Sequence, residues 1–136
     1  RETMEELRAM GLRLGIISNI ISTSLVPHLL KEYGLDGFME CQVMSSVCGV
    51  RKPSPEIFRI AEREMGLGPD ELAYVGDTIS RDVRGARNAG WRLMIQIRNP
   101  AAAHRDRGLE NCGCRPDYLI DSLREIPEII RRERET

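Results

Sequence analysis

Asp77 and Asp82, in the stretch YVGDTISRD, lie five positions apart where an apolar run gives way to a helix start. At about 4 Å, two such charges repel by roughly 4 kcal/mol at an effective dielectric near 20, so their convergence requires a neutralising group. Ser18 and Asn19 close a second apolar run, LRLGIIS, and Lys52 follows a third, MECQVMSS, across the loop VCGVRKP. In an open α/β sheet, ligands gather beyond the carboxyl ends of the strands. One hydroxyl, one ammonium and two carboxylates are therefore available to a single crevice.

Each residue also has a plainer reading. Ser18 and Asn19 are ordinary turn residues. Asp82 near a helix start is stabilised by the helix dipole with no ligand at all. Asp77 reads equally as a turn acid after Gly76, and Lys52 as a solvated charge. Lys52 has one further point in its favour, because the sequence uses eighteen Arg and only two Lys. An ammonium is a compact point charge where a guanidinium is a planar fork, so a Lys against that bias suggests a chemical requirement.

The elements that must position these groups follow from periodicity. Met4, Leu7 and Met10 share one helical face that stops at Gly11, and LRLGIIS then suits a buried strand. Leu25, Val26, Leu29, Leu30 and Tyr33 recur with helical period, and residues 39 to 46 read as a second strand. Ser54-Pro55-Glu56 is a helix start, with a capping hydroxyl, a proline at the first position and an acid facing the dipole. Ile57, Ile60, Ala61 and Met65 continue its apolar face. LAYV is a third strand, Ser80 to Ala89 a short helix, WRLMIQI a fourth strand and DYLI a fifth. Leu123, Ile126, Ile129 and Ile130 mark the face of a last helix. Alternating strand and helix predict an α/β, doubly wound fold with a parallel sheet. Tyr74, Phe58 and Trp91 read as core. Gly85, Ala86, Ala89 and Gly90 read as small residues that let a helix sit close to the sheet and hold Asp82 near Asp77. Residues 98 to 117 form a long connection, expected to be a mobile surface loop.

The length of 136 residues suits one globular domain with a core. A net charge of −1 lacks the basic excess of a nucleic-acid footprint. No apolar run reaches the eighteen or more residues of a membrane span and no signal peptide is visible, so a cytoplasmic location is expected. Cys41, Cys48, Cys112 and Cys114 lack paired CxxC spacing and read as free thiols, with metal or redox use of Cys112-Gly-Cys114 and a disulfide as alternatives. The opening RETMEELRAMG reads as the middle of a helix-bearing protein, and the chain is expected to be a piece of something longer.

The ordered set IISN, RKPSPEIF and YVGDTISRDVRGARNAGW resembles the second, third and fourth motifs of the haloacid dehalogenase-like hydrolases, in their phosphatase branch. The likeness runs from Gly11 to the closing PDYLIDSL. It implies that the Ser18 hydroxyl hydrogen-bonds a transferring phosphoryl group, with Asn19 beside it. It implies that Lys52 neutralises charge on the phosphoryl and on the nucleophile, and that Asp77 and Asp82 hold Mg2+. A magnesium ion would answer the repulsion between the acids, since it binds through one or two carboxylates, waters and substrate phosphate. Dehalogenases proper, as the family pattern implies, use no metal and lack GDxxxxD, so the acid pair and KPSPEIF point to a phosphatase acting on a small phosphorylated substrate.

The family's first motif, DxDx[TV], supplies the nucleophilic Asp and the general acid. No Asp of this chain has a second Asp two positions on. The isolated chain is therefore expected to be inactive toward phosphate esters. The family order places the missing strand between those ending at Ser18 and Asp77, leaving a gap of about 10 Å that is too wide for pairing. Stranded amides and carbonyls cost on the order of 1 to 3 kcal/mol each. An N-terminal segment of a longer hydrolase, or a second chain, is expected to fill the gap, with residues 1–136 as the C-terminal part of the core domain and a cap inserted before residue 1. The rival reading is a catalytically inactive binding or interaction module. A receiver domain would place its acid pair early and its Lys late, the reverse of the order here.

Overall fold

A computed structural model describes residues 2–20, 22–109 and 113–135. Five strands are present: β1 (Leu14–Ser18), β2 (Met39–Met44), β3 (Ala73–Gly76), β4 (Leu93–Ile97) and β5 (Tyr118–Ile120). The helices are α1 (Glu2–Ala9), α2 (Leu25–Glu32), α3 (Ser45–Cys48), α4 (Pro55–Met65), α5 (Arg84–Ala89) and α6 (Ile126–Arg134). A π-helical turn, Ile79–Val83, leads directly into α5. The helix predicted from Ser80 to Ala89 is thus split into two hydrogen-bonding patterns.

All strand pairs are parallel, as the alternation of strand and helix requires. They form two sheets, β1-β2 and β3-β4-β5. The break falls between β1 and β3, where the sequence expectation places a missing strand. Two cavities, about 490 and 320 Å³, run along this gap, and both are lined by Leu14 of β1 and by Ala73 and Val75 of β3. The fold is a partial Rossmann-like core with its central position vacant among the described residues.

Helices cover both faces of the strands. One apolar cluster joins Ile17, Cys41 and Val43 to Ile57, Phe58, Ala61 and Met65 of α4, to Ala86 and Ala89 of α5, and to Trp91. The other joins Leu93, Ile95 and Ile120 to Leu7 of α1 and to Ile126 and Ile129 of α6. Hydrophobic burial on two faces is the source of the near-continuous apolar runs in the strands. Phe58, Tyr74 and Trp91 pack edge to face, with ring centroids 5.0, 5.1 and 5.8 Å apart. A Cβ on Gly85 would lie 2.6 Å from Phe58 Cε2, so the absence of a side chain there lets α5 press onto α4.

Local chemistry sets the boundaries. Ser54 Oγ accepts a hydrogen bond from Glu56 N, and Pro55 opens α4 as predicted. β2 stops at Met44, short of the predicted residue 46, because Ser45 and Ser46 turn into α3 and tie down the segment after β1. Ser45 Oγ accepts from Ile20 N at 2.8 Å and donates to Ile20 O at 3.0 Å, while Ser46 Oγ donates to Ser22 O. The connection 98–117, predicted as loop throughout, contains a 3-10 helix, Pro100–Asp106, with Ala102 buried. An Asn99 cap and Pro100 nucleate that turn. Cys41 and Cys48 are free thiols, and burial pushes the Cys41 thiol up. Cys112 lies outside the described residues, so Cys112-Gly-Cys114 has no structural account. Among the described residues no helix is long and apolar enough to cross a membrane.

Candidate phosphoryl and metal site

Asn19, just past β1, holds the loop that carries Lys52. Its Nδ2 donates to Lys52 O at 3.0 Å, and its Oδ1 accepts from Lys52 N at 2.8 Å. Both polar ends of the Asn19 amide are therefore spent on the backbone of Lys52. The side chain expected beside a substrate instead fixes the base of the ammonium-bearing arm. Ser18 ends β1 half-buried, and its hydroxyl has no hydrogen-bond partner among the described residues.

The Lys52 ammonium donates to Asp82 Oδ1 at 2.7 Å and to Tyr74 Oη at 3.0 Å. The Lys52 and Asp82 side chains are only 10% and 5% exposed. Asp82 Oδ2 accepts from Asp77 N at 3.0 Å and from Thr78 N and Thr78 Oγ1, each at 3.1 Å. Burial pushes the Asp82 carboxyl up, but the Lys52 charge and the hydrogen bonds from Lys52 and Thr78 outweigh it and hold the group below its ordinary value. Tyr74 is displaced in the other direction: burial, and then the charge on Asp82, push its phenol well above the ordinary value, so it remains neutral.

The π-helical turn accounts for this placement. Val83 N donates to Thr78 O at 3.1 Å, five residues back, which winds Asp82 beneath the end of β3. A Cβ on Gly76 would stand 2.3 Å from Asp82 Cγ, so only glycine leaves room for the carboxylate. The amides at the start of the turn are all occupied by side chains. Asp106 accepts from Ile79 N and Ser80 N at 2.9 to 3.0 Å, and Thr78 Oγ1 accepts from Arg81 N at 3.3 Å.

Asp77 is in a different situation. It is half-buried, its Oδ2 accepts from Asn99 Nδ2 at 2.8 Å, and its Oδ1 has no partner among the described residues. The Asp77 amide thus binds the Asp82 carboxylate, whose charge is met by Lys52. No group of three or more Asp, Glu, His or Cys side chains capable of holding a metal occurs among the described residues. That donor set still fits magnesium, which demands one or two protein carboxylates and completes its shell with water and phosphate.

Asn19, Lys52, Asp77 and Asp82 are joined in one network, with Ser18 adjacent along β1. Sequence reasoning missed Tyr74, Thr78, Asn99 and Asp106. Asn99 had a usable signal, because it follows β4 at the same carboxyl edge that marked Ser18 and Asp77. Asp106 had none, since its partners are 26 and 27 residues away.

The chain is similar to known proteins over most of its length. A family model described as a haloacid dehalogenase-like hydrolase matches residues 1–90. The glyceraldehyde 3-phosphate phosphatase of Methanopyrus kandleri is 35% identical over 129 residues, spanning 95% of this chain and 54% of its own. The phosphoserine phosphatase of Thermus thermophilus is 36% identical over 129 residues, spanning 90% of this chain and 46% of its own. A crystal structure of a HAD phosphatase from Thermococcus onnurineus superposes with a TM-score of 0.75 at 29% identity, over 95% of this chain and 55% of that one. The chain spans about half the length of the curated relatives it matches. With a family model over residues 1–90 and a relative 35% identical across 95% of this chain, the chain belongs to the haloacid dehalogenase-like hydrolases.

Proposed function

We propose that residues 1–136 are the C-terminal part of the core domain of a Mg2+-dependent phosphomonoester hydrolase that works in the cytoplasm through an aspartyl nucleophile. The observation that carries this reading is the Lys52–Asp82 pair, locked at 2.7 Å beside an Asp77 carboxylate with one open oxygen. The relatives named as phosphatases of glyceraldehyde 3-phosphate and phosphoserine support a small phosphorylated substrate. A net charge of −1 gives no reason to expect nucleic acid or a membrane surface as partner.

In this reading Asp77, whose Oδ1 is open, would hold the metal, and Asp82 supports Asp77 from beneath by holding its amide and the Lys52 ammonium. A bound magnesium ion would supply charge neutralisation on the phosphoryl oxygens. Ser18 donates its hydroxyl to a non-bridging phosphoryl oxygen. Lys52 offers its remaining N–H to the same group, so that the charge developing in transfer meets fixed positive density in a nearly dry setting. Asn19 sets the height of Lys52 rather than contacting the substrate.

The nucleophile must come from outside residues 1–136. An extended segment entering the gap between β1 and β3 would satisfy the open edges of both sheets and bring an acid to the carboxyl end of the sheet, next to Ser18 and Asp77. That segment is an N-terminal stretch of the same polypeptide, with a second chain as the other source. The isolated residues 1–136 are inactive. Assaying the full-length polypeptide against a panel of phosphate esters, with and without Mg2+, tests the reading: metal-dependent release of phosphate supports it. Binding of esters with no turnover would favour the inactive module, the reading suggested by the lack of DxD in this chain.

A further inference from the structure

We propose that Asp106 is a positioning residue for Asp77: together with Asn99 it makes the turn Pro100–Asp106 a strap across residues 77–80. Its effect on a metal rests on the proposed hydrolase; its hold on that segment does not.

The strap is fastened at both ends. At one end Asn99 Nδ2 donates to Asp77 Oδ2 at 2.8 Å, while Asn99 Oδ1 caps the strap itself by accepting from Ala101 N at 3.2 Å. At the other end Asp106 Oδ1 accepts from Ile79 N and from Ser80 N, each at 3.0 Å, and Asp106 Oδ2 accepts from Ile79 N at 2.9 Å. Between them Ala102 is buried, which seats the middle of the 3-10 helix against the protein. One end thus orients the Asp77 carboxylate, and the other fixes the backbone two and three residues beyond it.

The neighbouring acceptors are already committed. Asp82 Oδ2 takes Asp77 N and Thr78 N, and Thr78 Oγ1 takes Arg81 N, so the π-helical turn has a cap of its own. Ile79 N and Ser80 N remain, too near the start of the turn to find a carbonyl within it. Asp106 meets them with charge-assisted bonds, roughly twice as strong as neutral ones. Without them the backbone that leaves Asp77 is less constrained, and its open Oδ1 loses a fixed direction.

The strap is independent of the vacant sheet position. β4 pairs with β3 on the side away from that position, with Gly76 opposite Gln96, and the strap follows β4. A strand entering between β1 and β3 leaves these bonds in place.

The experiment compares the full-length polypeptide with Asp106→Ala and with Asp106→Asn, which keeps one oxygen able to meet both amides. Three quantities are measured: the Mg2+ dissociation constant by calorimetry without substrate, the 1H–15N amide resonances of Ile79 and Ser80, and phosphate release across a Mg2+ titration. In Asp106→Ala the dissociation constant is expected to rise about tenfold, and the two amides to exchange faster with solvent. At saturating Mg2+ its kcat should stay within about threefold of wild type. Asp106→Asn is expected to restore most of the affinity. A cap that served stability alone would lower the thermal midpoint and leave the metal affinity where it was. A dissociation constant in Asp106→Ala within about twofold of wild type therefore overturns the proposal. Should that variant fail to fold, Asp106→Ser, whose single short hydroxyl cannot hold both amides, decides by the same measure. If the wild type neither binds Mg2+ nor hydrolyses phosphate esters, the function above fails, and the amide resonances alone decide on the hold: unchanged in the Asp106 variant, they overturn it.

Discussion

Lys52 Nζ and Asp82 Oδ1 meet at 2.7 Å with 10% and 5% of their side chains exposed, a buried ion pair beneath the turn that follows β3. Removing one partner of such a pair strands the other charge, which costs about 3 to 5 kcal/mol. Asp82→Ala also frees the amides of Asp77 and Thr78. Urea unfolding of the variant is expected to show a loss in that range, and a loss below about 1 kcal/mol would mean that the pair is solvated after all.

The same pair makes stability sensitive to acid in one direction. The Asp82 carboxyl is held below its ordinary value of 3.8, so the folded protein binds fewer protons than the unfolded chain. Its contribution is fully present above that ordinary value and fades as the pH falls through the lower folded value. Unfolding free energy measured from pH 7 downward is expected to lose this share only below pH 3.8. In Asp82→Asn that share of the acid limb should vanish, with the remaining carboxylates unaffected.

Gly76 provides a steric test. A methyl group there would stand 2.3 Å from Asp82 Cγ, and Gly76→Ala must push the carboxylate out of its seat. Overpacking of this kind costs about 1 to 3 kcal/mol. The variant is expected to lose stability in that range and most of its activity together, whereas an unchanged thermal midpoint would show that the turn yields freely.

Asn99 holds Asp77, the proposed metal ligand, from the turn after β4, and outer partners of a metal ligand typically contribute 10- to 100-fold in affinity, about 1.4 to 2.7 kcal/mol. Asn99→Ser keeps a capping hydroxyl for the 3-10 helix and removes the donor to Asp77 Oδ2. The Mg2+ concentration for half-maximal activity should rise about tenfold with little change in fold. Titration calorimetry with Mg2+ on the full-length protein checks the same shift without turnover.

Hydrogen exchange tests the unpaired edges of β1 and β3. In the isolated chain, peptides covering residues 14–18 and 73–76 are expected to exchange rapidly at the open strand edges, and in the full-length polypeptide to be protected. Equal protection in both would show that the sheet closes on its own.

The legible part of the site was the part written at strand ends. Ser18, Asn19, Lys52 and Asp77 each follow an apolar run, and the sheet rule gathers such residues without any coordinates. The division of labour between Asp77 and Asp82 was not legible, because it depends on a π turn that nothing in ISRDV announces. The role of Asn19 was hidden for a related reason: its neighbour in sequence is Ser18, but its partner is the backbone of Lys52, 33 residues on. Tyr74 reads as core because its ring is core; the direction of its hydroxyl is a tertiary fact. The vacant sheet position was implied by the resemblance to the family, whose order of strands leaves it empty here, and it appears as two separate sheets.

The central claim is that Asp77 serves a metal while Asp82 serves the protein. Asp77→Asn in the full-length polypeptide, assayed for phosphate release across a Mg2+ titration with the thermal midpoint measured in parallel, tests it most directly. The account predicts a folded protein with its midpoint nearly unchanged and kcat reduced by about 100-fold or more, a loss of at least about 2.7 kcal/mol of transition-state stabilisation. Full Mg2+-dependent activity in that variant would contradict it.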